Sequence, residues 1–571
     1  MGLSIAIAGG IIMTTALIIF GVVSMTLDQL AEENEARTEA FTNNDSIAKT
    51  DIQIFGVNAS VGSNLVNFTI SNGGIEKVWN YDKFDFFVTY DADILGTKTR
   101  VTEQLKYNAT AFDSSLAQAT VTGDFKIQRG ITDIPGTSQT ITAGVEFEEC
   151  NGDCFIIFTN SRYASMGRFT AGGNQNFNAF TVYVSNDDGL RPGGASTVTF
   201  ERHTGTNDAR VNWEIWEYVG HGPKNYLKVW DTGVCTFGTT ENFCTGAPIN
   251  NFDGRDKNVV VFITGLASPD TGRVSAESSR VTTDWDKMND EPEFRRNAPM
   301  SDATDVSYAV VEFSGSNWST QRTTHNFNIG GGVHTETISN VGEVSKAFIH
   351  PQMRNDQDAD ADGLNQMGTE VEITAPTTLT YRIPQQTDGY DQDIMDAVVW
   401  IIANHEVIPE EEMIVQHLNP PEHPSGGPEP EEWTEAVNIV REMSETGLTI
   451  TDQSAGTGVN FPRGYTNVRL SADNQVTFAQ SDTGQDQEIT IEIIQFPRSE
   501  KCVGGDSSLI EIDEWTMSCI TYDYLEPGII NPNEAPEILT KLQHPIFANG
   551  FLQITISTDN GEVDSQIRTV V

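Results

Sequence analysis

Basic residues are scarce in this 571-residue chain: 34 Lys and Arg stand against 81 Asp and Glu, a formal net charge of −47. The acidic excess runs along the whole length, and such a surface repels nucleic acid and anionic lipid. No nucleic-acid partner is expected. Catalytic signatures are missing as well: the nine His are scattered, no HExxH or GxSxG occurs, and the Gly-rich NIGGGVH lacks the Lys and Ser/Thr of a phosphate loop. An enzyme is not expected. The six cysteines include no CxxC, and no His stands at zinc-ligand spacing beside them. Long apolar runs are absent too, with one exception.

That exception is Met1 to Leu27, which carries no charged side chain and is almost wholly apolar from Ser4 to Met25. At about 1.5 Å of rise per residue, roughly 20 such residues span the ~30 Å hydrocarbon core as a helix. No Lys or Arg precedes the run, and it passes straight into the polar LDQLAEENEARTEAF. Both features predict an uncleaved anchor rather than a secretory signal or a processed pilin-type leader. Ala6 with Gly10 and Ser4 with Ala8 have the small-xxx-small spacing that lets membrane helices approach, so self-association is expected.

The cysteines fall as three close pairs, Cys150 with Cys154, Cys235 with Cys244 and Cys502 with Cys519, read as local disulfides of an oxidising space. Sequons at Asn44, Asn58, Asn67, Asn108 and Asn317 are candidate glycosylation sites and agree with an extracellular location. The expected topology is single-pass, with the C-terminal bulk outside.

Beyond the span, Leu27 to Phe41 reads as a helical stalk. From Asp51 the apolar period becomes two, in DIQIFGV, LVNFTI and FDFFVTY, which predicts strands with one buried face. The last sixty residues have the same character and end in two strands around Asp559-Asn560-Gly561, a hairpin signal. MGLSIAIAGG, EENEARTEA, DIQIFGVNAS, LVNFTISNGG and FDFFVTYD, with the closing WTMSCI, PGIINPNE and ISTDNG, resemble the archaeal flagellar protein F family. The resemblance covers residues 1 to 110 and 510 to 571. It implies a membrane helix, a β-sandwich outside the cytoplasmic membrane, and a stator-like role in the archaellum that binds the surface layer and holds the rotary machine still.

About 400 residues are inserted between the two halves of that sandwich. TVTFERHTG with ARVNWEIWEY, PEFRRNAP with VSYAVVEF, LTYRIPQQ with DAVVWIIAN, and NVRLSADN with EITIEIIQFPR recur as strand pairs. Tyr218, Phe313, Asn404 and Phe496 align at spacings of 95, 91 and 92 residues. Each unit is expected to open on an apolar strand: CFIIFTNSRY, VVVFITGLAS, KAFIHPQMR and TGLTITDQS. One long helix is expected from Pro430 to Gly447, with Trp433, Val437 and Val440 on one face.

The expected fold is therefore all-β: a transmembrane helix (1–27), a stalk (28–45), a discontinuous β-sandwich (46–125 with 505–571), and an array of four β units bounded at 126–250, 251–340, 341–428 and 429–504. Asp358, Asp360 and Asp362 before Gly363 match the first half of a calcium loop, where alternate carboxylates converge on one hard cation; an acidic solvated turn is the alternative, because Glu370 stands one residue late for the twelfth position. No other cofactor is expected. Trp213, Trp216, Trp318 and Trp400 sit on or beside expected strands, where core or sheet-face packing is the commoner role; if exposed, they would stack on sugars in a lectin-like site. The expected function is a membrane-anchored structural protein linking the cytoplasmic membrane to a surface-layer protein, a filament or archaellum motor components. The alternatives are an adhesin or glycan-binding protein, and a pilin-like or archaellin-like filament subunit.

Overall fold

The computed structural model describes residues 52–570 apart from 73–76, 78–80, 110–117, 135–140, 149, 151, 160–181, 188–189, 191–195, 203–208, 221–223, 240, 250–257, 268–280, 297–302, 328–331, 356–369, 384–394, 421–430, 456–465, 481–486, 504–509, 522–529, 531–534 and 558–562. The chain opens with β1 (Ile52–Ala59), β2 (Leu65–Asn72), β3 (Asp85–Ile94), β4 (Thr97–Tyr107) and β5 (Gln118–Gly123). Four sets of six strands follow. The first holds β6 (Phe125–Ile134), β7 (Ile141–Glu146), β8 (Asp153–Phe158), β9 (Tyr183–Asn186), β10 (Thr197–Arg202) and β11 (Ala209–Tyr218). The second holds β12 (Lys228–Phe237), β13 (Phe243–Thr245), β14 (Val259–Ala267), β15 (Thr282–Asp286), β16 (Glu291–Arg295) and β17 (Thr304–Glu312). The third holds β18 (Trp318–Phe327), β19 (Gly332–Thr337), β20 (Ala347–Asn355), β21 (Glu370–Ala375), β22 (Thr378–Ile383) and β23 (Met395–Asn404). The fourth holds β24 (Ile414–Leu418), β25 (Glu431–Ala436), β26 (Thr446–Ala455), β27 (Thr466–Ala472), β28 (Gln475–Gln480) and β29 (Gln487–Gln495). The chain closes with β30 (Arg498–Val503), β31 (Glu514–Thr521), β32 (Ala535–Lys541), β33 (Gly550–Ser557) and β34 (Val563–Val570).

The two chain ends build one sandwich. Its strand order is β1-β2-β32-β31 and β4-β3-β33-β34, the halves touching where β31 runs parallel to β4 at Glu514–Lys106 and Trp515–Tyr107. Alternating Ile52 and Ile54, Phe86, Val88 and Tyr90, and Leu552, Ile554 and Ile556 point inward, with Trp515 against Phe86 at 4.6 Å. From this body β5 and β30 leave as an antiparallel ribbon, Gln118 opposite Val503 and Gly123 opposite Arg498. Everything between them is the insertion.

Each inserted set has the same topology. Its first, sixth and third strands form one sheet and its second, fifth and fourth another: β6-β11-β8 over β7-β10-β9, β12-β17-β14 over β13-β16-β15, β18-β23-β20 over β19-β22-β21, and β24-β29-β26 over β25-β28-β27. Register agrees with the spacing. The residues just before Tyr218, Phe313, Asn404 and Phe496 pair with Cys154, Val259, Ala347 and Thr446 at the starts of the third strands. The sixth strand is apolar on both faces for a reason visible in β23. Ala397, Val399, Ile401 and Ala403 fill the core of their own repeat, while Val398, Trp400 and Ile402 join a second core shared by all four repeats. In that axial core Trp216 lies 5.5 Å from Phe155, 6.2 Å from Phe348 and 4.8 Å from Phe496, so it touches repeats one, three and four.

Three expectations change. The repeats occupy 125–218, 228–312, 318–404 and 414–495, so boundaries at 251, 341 and 429 fall inside repeats rather than between them. The apolar strands taken as openings are third strands; the two before them have a solvated face. The long helix does not form over the described residues 431–447. Glu431–Ala436 is β25, paired with β28, and Met443–Glu445 is a single 3-10 turn leading into β26. Trp433 stacks on Phe478 at 5.2 Å, and Val437 is buried while Val440 is 67% exposed. Cross-strand packing here outweighs the modest preference of a Glu-rich stretch for helix. The membrane segment 1–27 and the stalk lie outside the described residues; among those described, no helix is long and apolar enough to cross a membrane.

Candidate functional site

The four repeats close on one another, and the same elements meet at each junction: the fourth strand of one repeat, or the residue just before it, lies against the third strand of the next. Leu266 donates its amide to Val182 O between repeats one and two, at 3.0 Å. Gln352 Oε1 accepts the amide and the hydroxyl of Thr283 between two and three, at 2.7 and 2.8 Å. Between four and one, Val468 and Thr159 exchange a backbone bond of 3.1 Å and a hydroxyl bond of 2.8 Å. Between three and four, Ile349 N–H and Thr449 Oγ1–H donate in opposite directions, the first to Glu492 Oε2 at 2.9 Å and the second to Ile349 O at 3.4 Å.

One end of the ring axis is polar. Asn225 Nδ2 donates to the buried Asp124 at 2.9 Å, and Asn225 Oδ1 accepts from Asn317 at 3.2 Å and Asn404 at 3.1 Å. Asn317 also donates to Glu406 Oε2 at 2.8 Å. Glu406 accepts the Val407 and Ile408 amides and faces Lys224 at 3.6 Å; these contacts overcome burial and hold its carboxyl below the usual range. Buried amides and carboxylates need such partners, and here the partners come from the ends of successive repeats and the segments that join them.

The junction of repeats three and four gathers ionisable groups. Glu370 and Glu372 alternate on β21 and so share a face; His417 on β24 stands opposite Glu492 on β29. One ligand atom from each of Glu370, Glu372 and His417 lies within 4.8 Å of the others. Arg382 is 3.2 Å from Glu370 and 3.8 Å from Glu372, with about half of its side chain in solvent. Burial pushes the Glu492 carboxyl up to about 8, and the Glu372 charge adds to the effect. Burial lowers His417 while Glu372 pulls the other way. Sequence reasoning missed this group: Glu370 and Glu372 alternate inside the ordinary strand EVEITA, and His417 is 45 residues further on.

The residues expected from sequence distribute differently. Cys150 is bonded to Cys154 and Cys235 to Cys244, with Cα separations of 6.4 and 6.3 Å; the second bond ties β12 to β13 across the two sheets of repeat two. The side chains of Cys502 and Cys519, the acidic loop with Asp358, Asp360 and Asp362, and Asn44 lie outside the described residues. Asn58 is exposed on β1, whereas Asn67 and Asn108 are part-buried and donate to Glu537 at 2.9 Å and Glu514 at 2.6 Å. Asn317 belongs to the axial network, which a glycan there would break.

The tryptophans take the packing role, and the sugar-stacking alternative is overturned. Trp213, Trp216, Trp318 and Trp400 are only 6, 1, 4 and 4% exposed, so none offers a face to a sugar. Trp213, Trp216 and Trp400 sit on sixth strands, whose two faces are both covered, and Trp318, the first residue of β18, packs 5.1 Å from Phe313; each indole fills core volume. Between repeats one and two, Ile156, Val184, Leu190 and Tyr308 line a void of about 10 Å³, room for one water. No protein-family model matches the chain, and no characterised protein is significantly similar to it.

Proposed function

We propose that this chain is a membrane-anchored structural protein of the cell surface, stator-like in the archaellum sense, which joins the cytoplasmic membrane to the surface layer or a surface filament. The observation that carries the reading is architectural: a sandwich made from both chain ends presents a four-repeat head on a two-stranded ribbon. A head whose axis is filled by aromatic side chains acts through its outer surface rather than through a channel or a substrate cleft. The apolar, charge-free Met1 to Leu27 supplies the anchor, and the acidic surface suits a salty exterior or a basic partner. Contact is made by edge strands and loops, without chemistry on a substrate.

The test is a pull-down of tagged full-length protein from gently solubilised native membranes, with mass spectrometry of its partners and of its own N-terminus. Surface-layer protein or archaellum motor components together with an intact Met1 support the reading. A processed N-terminus with only copies of the same chain sinks it and leaves a filament subunit.

A further inference from the structure

We propose that Glu370, Glu372 and His417 form a site for a divalent transition-metal ion of the zinc class, which staples repeat three to repeat four. Two carboxylates and an imidazole suit such an ion, and the three ligands come from both sides of one junction. His417 Nε2 is shielded from solvent and has no hydrogen-bond partner. Its other nitrogen, Nδ1, is 4.0 Å from Glu492 Oε1, beyond hydrogen-bonding distance. An imidazole nitrogen that is buried, unbonded and beside two carboxylates has the chemistry of a vacant ligand. Ligand atoms held ~2.0–2.2 Å from one tetrahedral ion stand roughly 3.3 Å apart, so modest rotamer changes would bring the three groups in from their 4.8 Å limit.

A second observation comes from the repeats themselves. His417 occupies a fixed place: on the first strand, opposite the sixth-strand residue four positions before the aligned Tyr218, Asn404 and Phe496. In repeat one that place holds Arg129, opposite Glu214; in repeat two Thr232, opposite Ala309; and in repeat three Arg322, opposite Trp400. Both arginines reach back to the preceding repeat. Arg129 donates to Met443 O at 2.7 Å; Arg322 donates to Thr283 O at 3.1 Å and lies 3.4 Å from Asp284. Two junctions therefore place a permanent cation at this point. Repeat four places a histidine there, facing Glu370, Glu372 and the buried Glu492, with the half-exposed Arg382 as the nearby positive charge. A bound divalent ion supplies the charge that a guanidinium supplies elsewhere, and Arg382 is free to swing outward.

The test uses the full-length protein in detergent, stripped with chelator and titrated with Zn2+ by calorimetry, with metal content measured after desalting. One tight Zn2+ per chain and a raised melting temperature are expected. Glu370→Gln with Glu372→Gln should weaken that binding by about tenfold or more. His417→Arg rebuilds the arrangement of repeats one and three; it should abolish the tight site while the metal-free protein melts no lower than the parent. Asp358→Asn with Asp360→Asn should leave the Zn2+ site untouched. Absence of tight Zn2+ binding overturns the proposal, and so does a tight site that survives the double Glu variant and His417→Arg.

Discussion

Glu492 and Glu214 do the same thing at two different junctions. Each lies four residues before the aligned aromatic at the end of its sixth strand, and each accepts the amide of the third residue of a neighbouring third strand: Ile349 for Glu492 and Leu448 for Glu214, both at 2.9 Å. Glu214 is also bound by Arg129 at 2.7 Å and by the Trp216 indole at 2.9 Å. Among the described residues Glu492 has no arginine beside it, only His417 at 4.0 Å. One carboxylate is paired and the other is not, and the first prediction follows from that difference.

Glu492 is 3% exposed and titrates near 8 in the folded chain, above the ordinary 4.5. A raised pKa favours the folded state at low pH, where both folded and unfolded chains hold the proton. That stabilisation is lost as pH rises from about 4.5 through 8. Glu492→Gln keeps an acceptor for the Ile349 amide and removes the charge. In chelator-treated protein the variant should melt higher than the parent at pH 9 and alike at pH 4. Thermal melts across that range check it; equal melting at pH 9 would count against the assignment.

His350 carries the opposite sign. Its Nε2 accepts the Ile263 amide at 3.4 Å across the junction of repeats two and three, and burial lowers its pKa from 6.5 to about 4. The stabilisation is complete above 6.5 and is lost as pH falls through 4. His350→Gln retains an acceptor without the titration, so its stability should fall less between pH 6.5 and 4 than that of the parent. Denaturant midpoints at the two pH values measure the difference.

Gly447, the second residue of β26, lies against the axial core. A Cβ there would lie 2.8 Å from Trp216 and 2.9 Å from Phe496, both ring atoms with little freedom to move. Gly447→Ala should destabilise the closure of repeat four on repeat one by about 1–3 kcal/mol. Trp216→Ala should cost more, about 3–5 kcal/mol, by emptying the centre of the shared core. Proteolysis followed by mass spectrometry should show first cuts near residues 440–450 in the glycine variant and across all four repeats in the tryptophan variant.

The ribbon of β5 and β30 brings the two ends of the insertion side by side. Replacing residues 118–503 with a short Gly-Ser linker should leave a sandwich that folds by itself, because its core is built from residues 52–107 and 515–556. A β-type circular-dichroism spectrum and a cooperative melt are expected of the secreted product; an unfolded product would show that the head is needed for the sandwich.

The parts legible in sequence are those whose burial is complete. CFIIF, VVVFITG, KAFI and TGLTI stand out because both faces of the third strand are covered, and the sixth strands for the same reason. First, second and fourth strands alternate with solvent and vary, so the boundaries at 251 and 341 fall two strands late and the one at 429 falls one strand late. In the fourth recurring pair, NVRLSADN is β27 rather than the fifth strand β28, because a two-residue turn runs the two strands together. The tryptophans leave packing and sugar stacking both open in sequence, because a strand's period of two does not say whether its second face meets water or another repeat. Glu370, Glu372 and His417 carry no local signal; the closure of the ring brings them together.

Closure also limits copy number. An open solenoid can gain or lose a unit by recombination, since each new repeat finds a free end to stack on. Here repeat four already lies against repeat one through Val468 and Thr159, and Trp216 fills the middle. A fifth unit would have no unoccupied neighbour and would leave a hole on the axis. Drift in this family of shapes should therefore alter loops and outer sheets while the number of repeats stays at four.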